Sequence, residues 1–302
     1  MKLALGPILY YWQREALFDF YEQIADAAVD IVYLGETVCS KRHNFRPDDW
    51  FEVAQKLADA GKEVVLSTQA LIESESDLKT LRRLAENGNF IVETNDMGAV
   101  RLMSGKQFVV GPHINTYNTQ TLSLLAELGA KRWVMPVEMS QSMLSDMLAG
   151  KPQGMETEVF AYGRLPLAFS ARCFTARHYN LPKDDCQFRC LDHAYGLTLK
   201  TREGQSFLAL NGIQTQSSSI YNLVAELENM QQAGVDVVRI SPQPNHIGNI
   251  IDVFYRRLQG KLSAAEAAQQ MESLMPDEPC DGYWHARAGI QQVGLSSPAN
   301  IH

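Results

Sequence analysis

Three of the chain's five cysteines, Cys173, Cys186 and Cys190, fall in the stretch EVFAYGRLPLAFSARCFTARHYNLPKDDCQFRC, which runs from Glu158 to Cys190. Twelve residues separate the first two and three separate the last two. Thiolates are strong ligands for soft metals and for iron–sulfur clusters. Three of them need a fourth to close a tetrahedral site or a four-iron cluster, and Cys39, far upstream in YLGETVCSKR, is the candidate. Charged neighbours such as Lys183, Asp184, Asp185 and Arg189 set the group apart from ordinary free cysteines, which sit in apolar surroundings. Cys280, in EPCDGYWH, reads as a free cysteine. Zinc and iron–sulfur both accept four thiolates, so ligand type leaves the two open. Zinc sites usually pair cysteines two to four residues apart, which only Cys186 and Cys190 do, and the spread of the set leans toward a cluster.

The elements between these cysteines must bring them together. Apolar β-type runs occur at Lys2 to Leu5, Ile31 to Leu34, Glu63 to Leu66, Phe90 to Val92, Gln107 to Val110, Arg132 to Met135, Glu156 to Tyr162 and Val235 to Ile240. Helical patterns alternate with them: Gln13 to Ala27, Pro47 to Ala60, Ser74 to Asn87, Asn95 to Met103, Thr119 to Leu128, Gln141 to Leu148 and Ser219 to Ala233. Eight such units, recurring at roughly 27 residues, predict an α/β fold of (β/α)8 TIM-barrel type. The rival is an open doubly wound sheet, but no G-x-G-x-x-G follows the first strand to support it. After the seventh strand the rhythm breaks for about fifty residues, a length that marks a functional loop. One domain is expected over residues 1–302, with a cysteine-bearing insertion at 163–211 and a C-terminal helical tail at 248–302. From Val293 onward the chain reads as frayed.

Barrel chemistry sits where strands end and the following loops begin. Cys39 lies just after the second strand and the other three lie in the insertion after the seventh, so both segments open onto one face. Glu36, His113, Asn115, Glu138, Tyr162 and Arg239 also stand at or just beyond strand ends and are candidates to line a pocket there. Taken singly, such residues are more commonly caps or loop hydrogen-bonders. His178 and His193 read as solvated loop histidines; Trp50, Trp133 and the Tyr10, Tyr11, Trp12 group read as packing. No G-x-S-x-G and no H-E-x-x-H is present.

At 302 residues and 45% hydrophobic, the chain is long enough for a sizeable core. Its formal charge of −8 disfavours nucleic-acid binding through a basic surface. There is no apolar run of about 18 residues, so no transmembrane helix is expected. MKLALGPILYYWQRE reads as a first strand and not as a signal peptide, which implies a reducing cytoplasm without structural disulfides.

Between Glu158 and Cys173 the chain resembles the signature of the collagenase-like peptidase family. Glu158, Phe160, Gly163, Leu165 and Cys173 match; Arg164 and Pro166 depart, and Pro166 stands where the family has its first cysteine. With YLGETVCSKR, VMPVEMS, YGRLPLAFSARCFTAR, PKDDC, LNGIQT, VVRISPQ and CDGYW in this order, the chain is similar to the subgroup that acts in anaerobic ubiquinone biosynthesis. The resemblance implies a 4Fe-4S cluster held by Cys39, Cys173, Cys186 and Cys190. It also implies a heterodimer with a UbiU-like paralogue and O2-independent hydroxylation of the ubiquinone ring, with prephenate as the small-molecule hydroxyl donor. The ring carries an apolar isoprenoid tail, so help is expected from the partner's surface or a lipid-carrier protein. The readings set against this are a peptidase or RNA-modifying relative and a non-catalytic scaffold with structural zinc.

Overall fold

The computed structural model describes residues 1–294. Strands β1 (Lys2–Leu5) and β2 (Ile31–Leu34) show how the sequence builds its two layers. Side chains alternate across a strand. Ala4, Ile31 and Tyr33 turn to one face and join Val65, Val109, Val134 and Val237 inside the barrel. Leu3, Leu5, Val32 and Leu34 turn to the other and pack under the helices. Strands buried on both faces read as unbroken apolar runs, which is why they stood out in the sequence.

Helix α1 (Arg14–Ala25) joins these two strands. The alternation continues through α2 (Pro47–Asp59), β3 (Glu63–Ser67), α3 (Glu75–Ala85), β4 (Ile91–Thr94), α4 (Met97–Met103), β5 (Phe108–Val110), α5 (Thr119–Glu127), β6 (Ala130–Val134) and α6 (Gln141–Ala149). Side chains of Ser74, Asp96, Asn118 and Ser140 accept a backbone N–H at the starts of α3 to α6. Each satisfies a donor that the helix leaves unpaired.

Strand β7 (Glu156–Phe169) runs far beyond the barrel rim. It leads to α7 (Phe174–His178) and then to β8 (Leu197–Lys200), β9 (Ser206–Asn211) and β10 (Gln214–Asn222). The outer half of β7 pairs antiparallel with β10, β10 with β9, and β9 with β8. The insertion is therefore a small antiparallel lobe, not an irregular loop. At Gly163 β7 leaves the barrel with φ +126°, and a Cβ there would meet the Cβ of Ser241 at 2.6 Å. The bend thus requires glycine on both counts.

The helix expected from Ser219 starts only at Leu227. Ser219–Asn222 ends β10, residues Val224–Glu226 form a single 3-10 turn, and α8 (Leu227–Ala233) follows. Neighbouring strands on both sides of β10 override the local preference of QTQSSSIYN. Strand β11 (Val237–Ile240) then pairs in parallel with both β7 and β1. This closes a ring of eight parallel strands, β1 to β7 and β11, among the described residues. Helices α9 (Ile247–Leu258) and α10 (Ala264–Glu272) form the tail, and the short β12 (Pro279–Cys280) pairs with β10. Val293 is not frayed: its N–H donates to Asp281 Oδ1 at 2.6 Å, and that of Gly294 to Asp281 Oδ2 at 2.8 Å. The remainder of the stretch expected to fray lies outside the described residues.

The barrel interior holds buried charges: Glu93, Glu158, Arg132 and Arg239. Arg239 Nε donates to Glu158 Oε1 at 2.5 Å, and its Nη2 stands 2.8 Å from Glu93 Oε1. The Arg239 guanidinium lies on the Tyr33 ring, 3.9 Å from its centre. The Tyr33 hydroxyl donates to Glu158 and accepts from Arg132 Nη1 at 3.1 Å. Burial alone would lower the Arg239 pKa, but Glu158 and Glu93 hold it well above the usual value. Glu158 is the shared partner of both arginines, and removing one member of a buried ion pair strands the other. Glu158→Gln should cost on the order of 3–5 kcal/mol in urea unfolding followed by circular dichroism. A cost under about 1 kcal/mol, typical of an exposed pair, would show that the arginines do not depend on it.

Candidate functional site

The loop after β2 carries Cys39. Its shape is set by Glu36, whose Oε1 accepts the N–H groups of Val38 at 2.8 Å and Cys39 at 2.9 Å. Cys173 caps α7, its Sγ accepting Ala176 N–H at 3.4 Å. Cys186 and Cys190 flank a turn in which Gln187 and Phe188 adopt positive φ. All four cysteines are half-buried and none is in a disulfide.

What joins the two segments is Arg42. Its guanidinium is buried, donating to Leu9 O at 2.8 Å and Asn211 Oδ1 at 2.7 Å. Glu36 Oε1 lies 3.7 Å from the same group. Asn211 Nδ2 donates to Leu9 O at 2.7 Å, so the β9–β10 turn is tied to the loop after β1. The next residue, Gly212, donates to Thr175 Oγ1 at 3.0 Å and accepts from Phe174 N–H at 3.0 Å, which fixes the first turn of α7. Lys41 pairs with Asp184, and Lys183 donates to Glu73 Oε1 at 2.6 Å in the loop after β3.

Arg42 interacts electrostatically with Cys39 and Cys190. Cys173 interacts with Cys39 and with Cys190, and Cys190 also with Cys186. The four thiols named from the sequence are therefore one neighbourhood, assembled from two distant segments. Among the described residues, no three His, Cys, Asp or Glu side chains are placed to hold a single metal ion. Burial pushes the Cys39 thiol up to about 11 and raises Cys190, while Arg42 pulls both the other way. Cys280 stands apart, fully buried beside Tyr221, with its thiol pushed up to about 12 by burial.

A pocket opens at the barrel mouth next to this group. An inner chamber of about 20 Å³, room for roughly one water, is lined by Thr37, Glu93, Asn95, His113, Pro166 and Arg239 among others. An outer vestibule of about 250 Å³ is lined by Asn115, Glu138 and Phe169, and shares Pro112, His113 and Pro166 with the chamber. Thr37 Oγ1 and Asn95 Oδ1 are buried without a hydrogen-bond partner, which marks the wall as built for polar contact. The His113 ring stands edge-on to Phe169 at 4.8 Å. Leu9, which lines the chamber, packs with Val38 and Ile213 against Cys39, Cys173 and Phe169. Leu9 and Phe169 thus belong both to the pocket lining and to the cluster that holds Cys39 and Cys173.

Of the pocket candidates, His113, Asn115, Glu138 and Arg239 come together here. Glu138 is exposed and accepts from the Tyr117 hydroxyl. Glu36 does not join them; it lies under the Cys39 loop and lines a separate cavity of about 120 Å³ between α2 and α3. Tyr162 is a core residue whose hydroxyl donates to Gln243 Oε1 at 2.8 Å. His193 shares a 2.8 Å hydrogen bond with Tyr179, while His178 is exposed. Sequence reasoning passed over Arg42, Thr37, Glu93, Asn95 and Asn211. Glu93 and Asn95 were within reach: a carboxylate and an amide closing an apolar strand are the signal that picked out Arg239.

A barrel whose C-terminal mouth is overlain by a cysteine-bearing lobe defines the class of protein. The chain belongs to peptidase family U32, whose model matches residues 12–293. A U32 peptidase of known structure is 12% identical, with 81% of this chain and 94% of that one covered and a TM-score of 0.45. Tryptophan synthase from M. tuberculosis is similar at 11% identity, 89% and 92% coverage and TM-score 0.42. Dihydrodipicolinate synthase from Aquifex aeolicus is similar at 8% identity, 90% and 80% coverage and TM-score 0.39.

Two outcomes follow from this geometry. Arg42→Lys keeps the charge but cannot reach Leu9 O and Asn211 together; hydrogen exchange at the Gly212 and Phe174 amides should accelerate at least tenfold, and unchanged exchange would remove Arg42 as the tie. Burial lowers the His113 pKa to about 4. The unfolded chain, titrating near 6.5, then binds more protons across that window, so stability falls as pH drops from about 6.5 toward 4. Between pH 7 and pH 5 the wild type should lose on the order of 1–2 kcal/mol more than His113→Gln. Parallel pH profiles for the two proteins would show that His113 is not held neutral.

Proposed function

We propose that this chain is a UbiV-type subunit: a cytoplasmic iron–sulfur protein that acts with a UbiU-like partner in O2-independent hydroxylation of the ubiquinone ring. The observation that carries the reading is the meeting of Cys39 with Cys173, Cys186 and Cys190 beside the barrel-mouth pocket. The donor set suits a 4Fe-4S cluster. A zinc ion would draw four thiolates to within about 2.3 Å of one centre, whereas a cluster spreads them over several irons. The four residues would hold the cluster in place of their thiol protons, since binding requires thiolates. When bound, such a cluster supplies a one-electron relay.

The remaining chemistry falls to the chain's own groups. Replacing a ring C–H by C–OH removes two electrons from the ring; without O2, a small-molecule donor, prephenate by family resemblance, would supply the hydroxyl and take up those two electrons and the displaced hydrogen as its own C–O bond breaks. Leu9 and Phe169 are shared between the pocket lining and the cluster around Cys39 and Cys173, so the two sites lie against each other. Thr37 Oγ1 and Asn95 Oδ1 offer hydrogen bonds inside the chamber, and His113 presents an uncharged imidazole to it. Arg239 is held in place by Glu93 and Glu158. No helix among the described residues is long and apolar enough to cross a membrane. The tailed ring would then be presented by the partner or by a lipid carrier.

Replacing Cys39, Cys173, Cys186 or Cys190 singly by Ala should abolish or severely deplete iron in anaerobically purified protein, while Cys280→Ala keeps it. Anaerobic co-expression with the paralogue should restore ubiquinone in a strain lacking both, and this chain alone should not. Iron retained in Cys39→Ala, zinc in place of iron, or activity on peptide or RNA substrates would overturn the reading.

A further inference from the structure

The barrel-mouth pocket has no charge to offer an anion. Among the described residues, no Lys or Arg lines the outer vestibule, and Glu138 is its charged side chain. His113, shared by vestibule and chamber, is held uncharged by burial. The chamber does hold a cation, Arg239, but Glu93 and Glu158 grip it at 2.8 Å and 2.5 Å. Arg132 meets Glu158 from the far side at 3.8 Å, so two buried cations face two buried carboxylates and the set is balanced. A further carboxylate here would be an unpaired charge out of water, which is strongly disfavoured. The unused hydrogen-bonding capacity is of another kind. Thr37 and Asn95 are 1% and 2% exposed, and Thr37 Oγ1 and Asn95 Oδ1 have no hydrogen-bond partner. The Asn95 amide is fixed the right way round, because its Nδ2 donates to Thr68 O at 3.0 Å and to Glu93 Oε2 at 3.2 Å. Glu93 Oε1 faces Arg239 yet makes no hydrogen bond. An amide oxygen and a carboxylate oxygen only accept, so a group that enters must donate. The chamber, at about 20 Å³, admits one group the size of an oxygen.

We propose that the chamber is a subsite for a single hydroxyl group, and that the pocket takes a neutral, ring-sized molecule presenting that hydroxyl while it turns carboxylates away. A hydroxyl satisfies both walls: its O–H donates to Asn95 Oδ1 and its oxygen accepts from the Thr37 hydroxyl. A carboxylate cannot donate, and an ammonium adds a charge to a set already balanced. A cavity of about 150 Å³ is enough for benzene, so the vestibule, at about 250 Å³, has room for one substituted ring. Unmade hydrogen bonds and unpaired charge are how a site tells apart molecules of one shape. Thr37 and Asn95 are then specificity residues of the pocket. The consequence divides the work between two chains. Prephenate carries two carboxylates, so it finds no cation in this pocket and must take its cations from the paralogue. That division rests on the function proposed above, whereas the hydroxyl subsite rests on the pocket alone.

The probes are 4-methylphenol, 4-methylbenzoate and toluene, which differ in one group at one position. Each is titrated against the anaerobically purified chain by ligand-observed NMR. The phenol should bind at least tenfold more tightly than either of the others. Thr37→Val keeps the side-chain shape and removes an unpaired hydroxyl, so its melting temperature should not fall. It should cost the phenol at least fivefold and leave toluene unchanged. Glu138→Lys, at an exposed position, should strengthen 4-methylbenzoate at least fivefold and leave the phenol unchanged. Equal affinities for the phenol and toluene, as in a chamber kept by water, overturn the hydroxyl subsite, and so does an unchanged ratio in folded Thr37→Val. A benzoate bound as tightly as the phenol overturns the charge selection, and no binding of any probe overturns both. Prephenate separates this pocket from the partner reading. Its binding to the lone chain overturns the charge selection and leaves the partner reading intact. Its failure to bind the complex with the paralogue overturns that reading and leaves the hydroxyl subsite standing.

Discussion

A single buried guanidinium holds the mouth of this barrel in order. Arg42 is out of water, and a buried charge persists only when it is paired and hydrogen-bonded. It meets that demand by drawing Leu9, Glu36 and Asn211 to itself. These partners come from the loops after β1 and β2 and from the tip of the lobe, so the desolvation cost of one side chain becomes the tie between barrel and lobe. The cysteines occupy the space that this tie encloses. Their placement is a consequence of satisfying Arg42, as much as of any ligand they hold.

A second set of charges works one layer deeper. Arg132 and Arg239 meet Glu158 from opposite sides, with Tyr33 between them. Small parallel barrels are ordinarily filled by branched apolar side chains. Here Ala4, Ile31, Val65 and their neighbours supply that filling, and the salt-bridge network replaces part of it. The network is a poor source of net stability, because desolvation offsets most of the attraction. It fixes position instead: Arg239 reaches the pocket wall at one angle only, gripped by carboxylates from β4 and β7.

Much of this was legible in the sequence, for a physical reason. Eight apolar runs at a steady interval can bury both faces only by closing with helices outside, and the strand boundaries came out within two residues except at the end of β7, which continues seven residues past Tyr162 to Phe169. The four cysteines stood out because thiols among charged residues are unusual, although the structure packs two of them, Cys39 and Cys173, against Leu9, Val38 and Ile213. The lobe did not. QTQSSSIYN has little strand preference of its own, and it is a strand only because β7 and β9 flank it. Glu36 was misplaced for a related cause. Position just past a strand end fixes height along the barrel, not the direction the side chain turns. Glu36 turns under its own loop, whereas Thr37, the next residue, faces the chamber. Arg42 and Asn211 have no signature at all, since each matters through atoms more than thirty residues away in sequence.

Strand β7 belongs to two sheets at once. Its first half is a stave of the barrel and its second half is the central ribbon from which the lobe hangs, with the bend at Gly163 between them. A module joined by a linker can swing as a unit; one that continues a barrel strand cannot do so without tearing backbone hydrogen bonds on both sides of the bend. The lobe is in this sense a cantilever and not a lid. A molecule that enters the vestibule meets a lobe fixed to the barrel, and any push on the lobe is felt as torsion in the barrel wall itself.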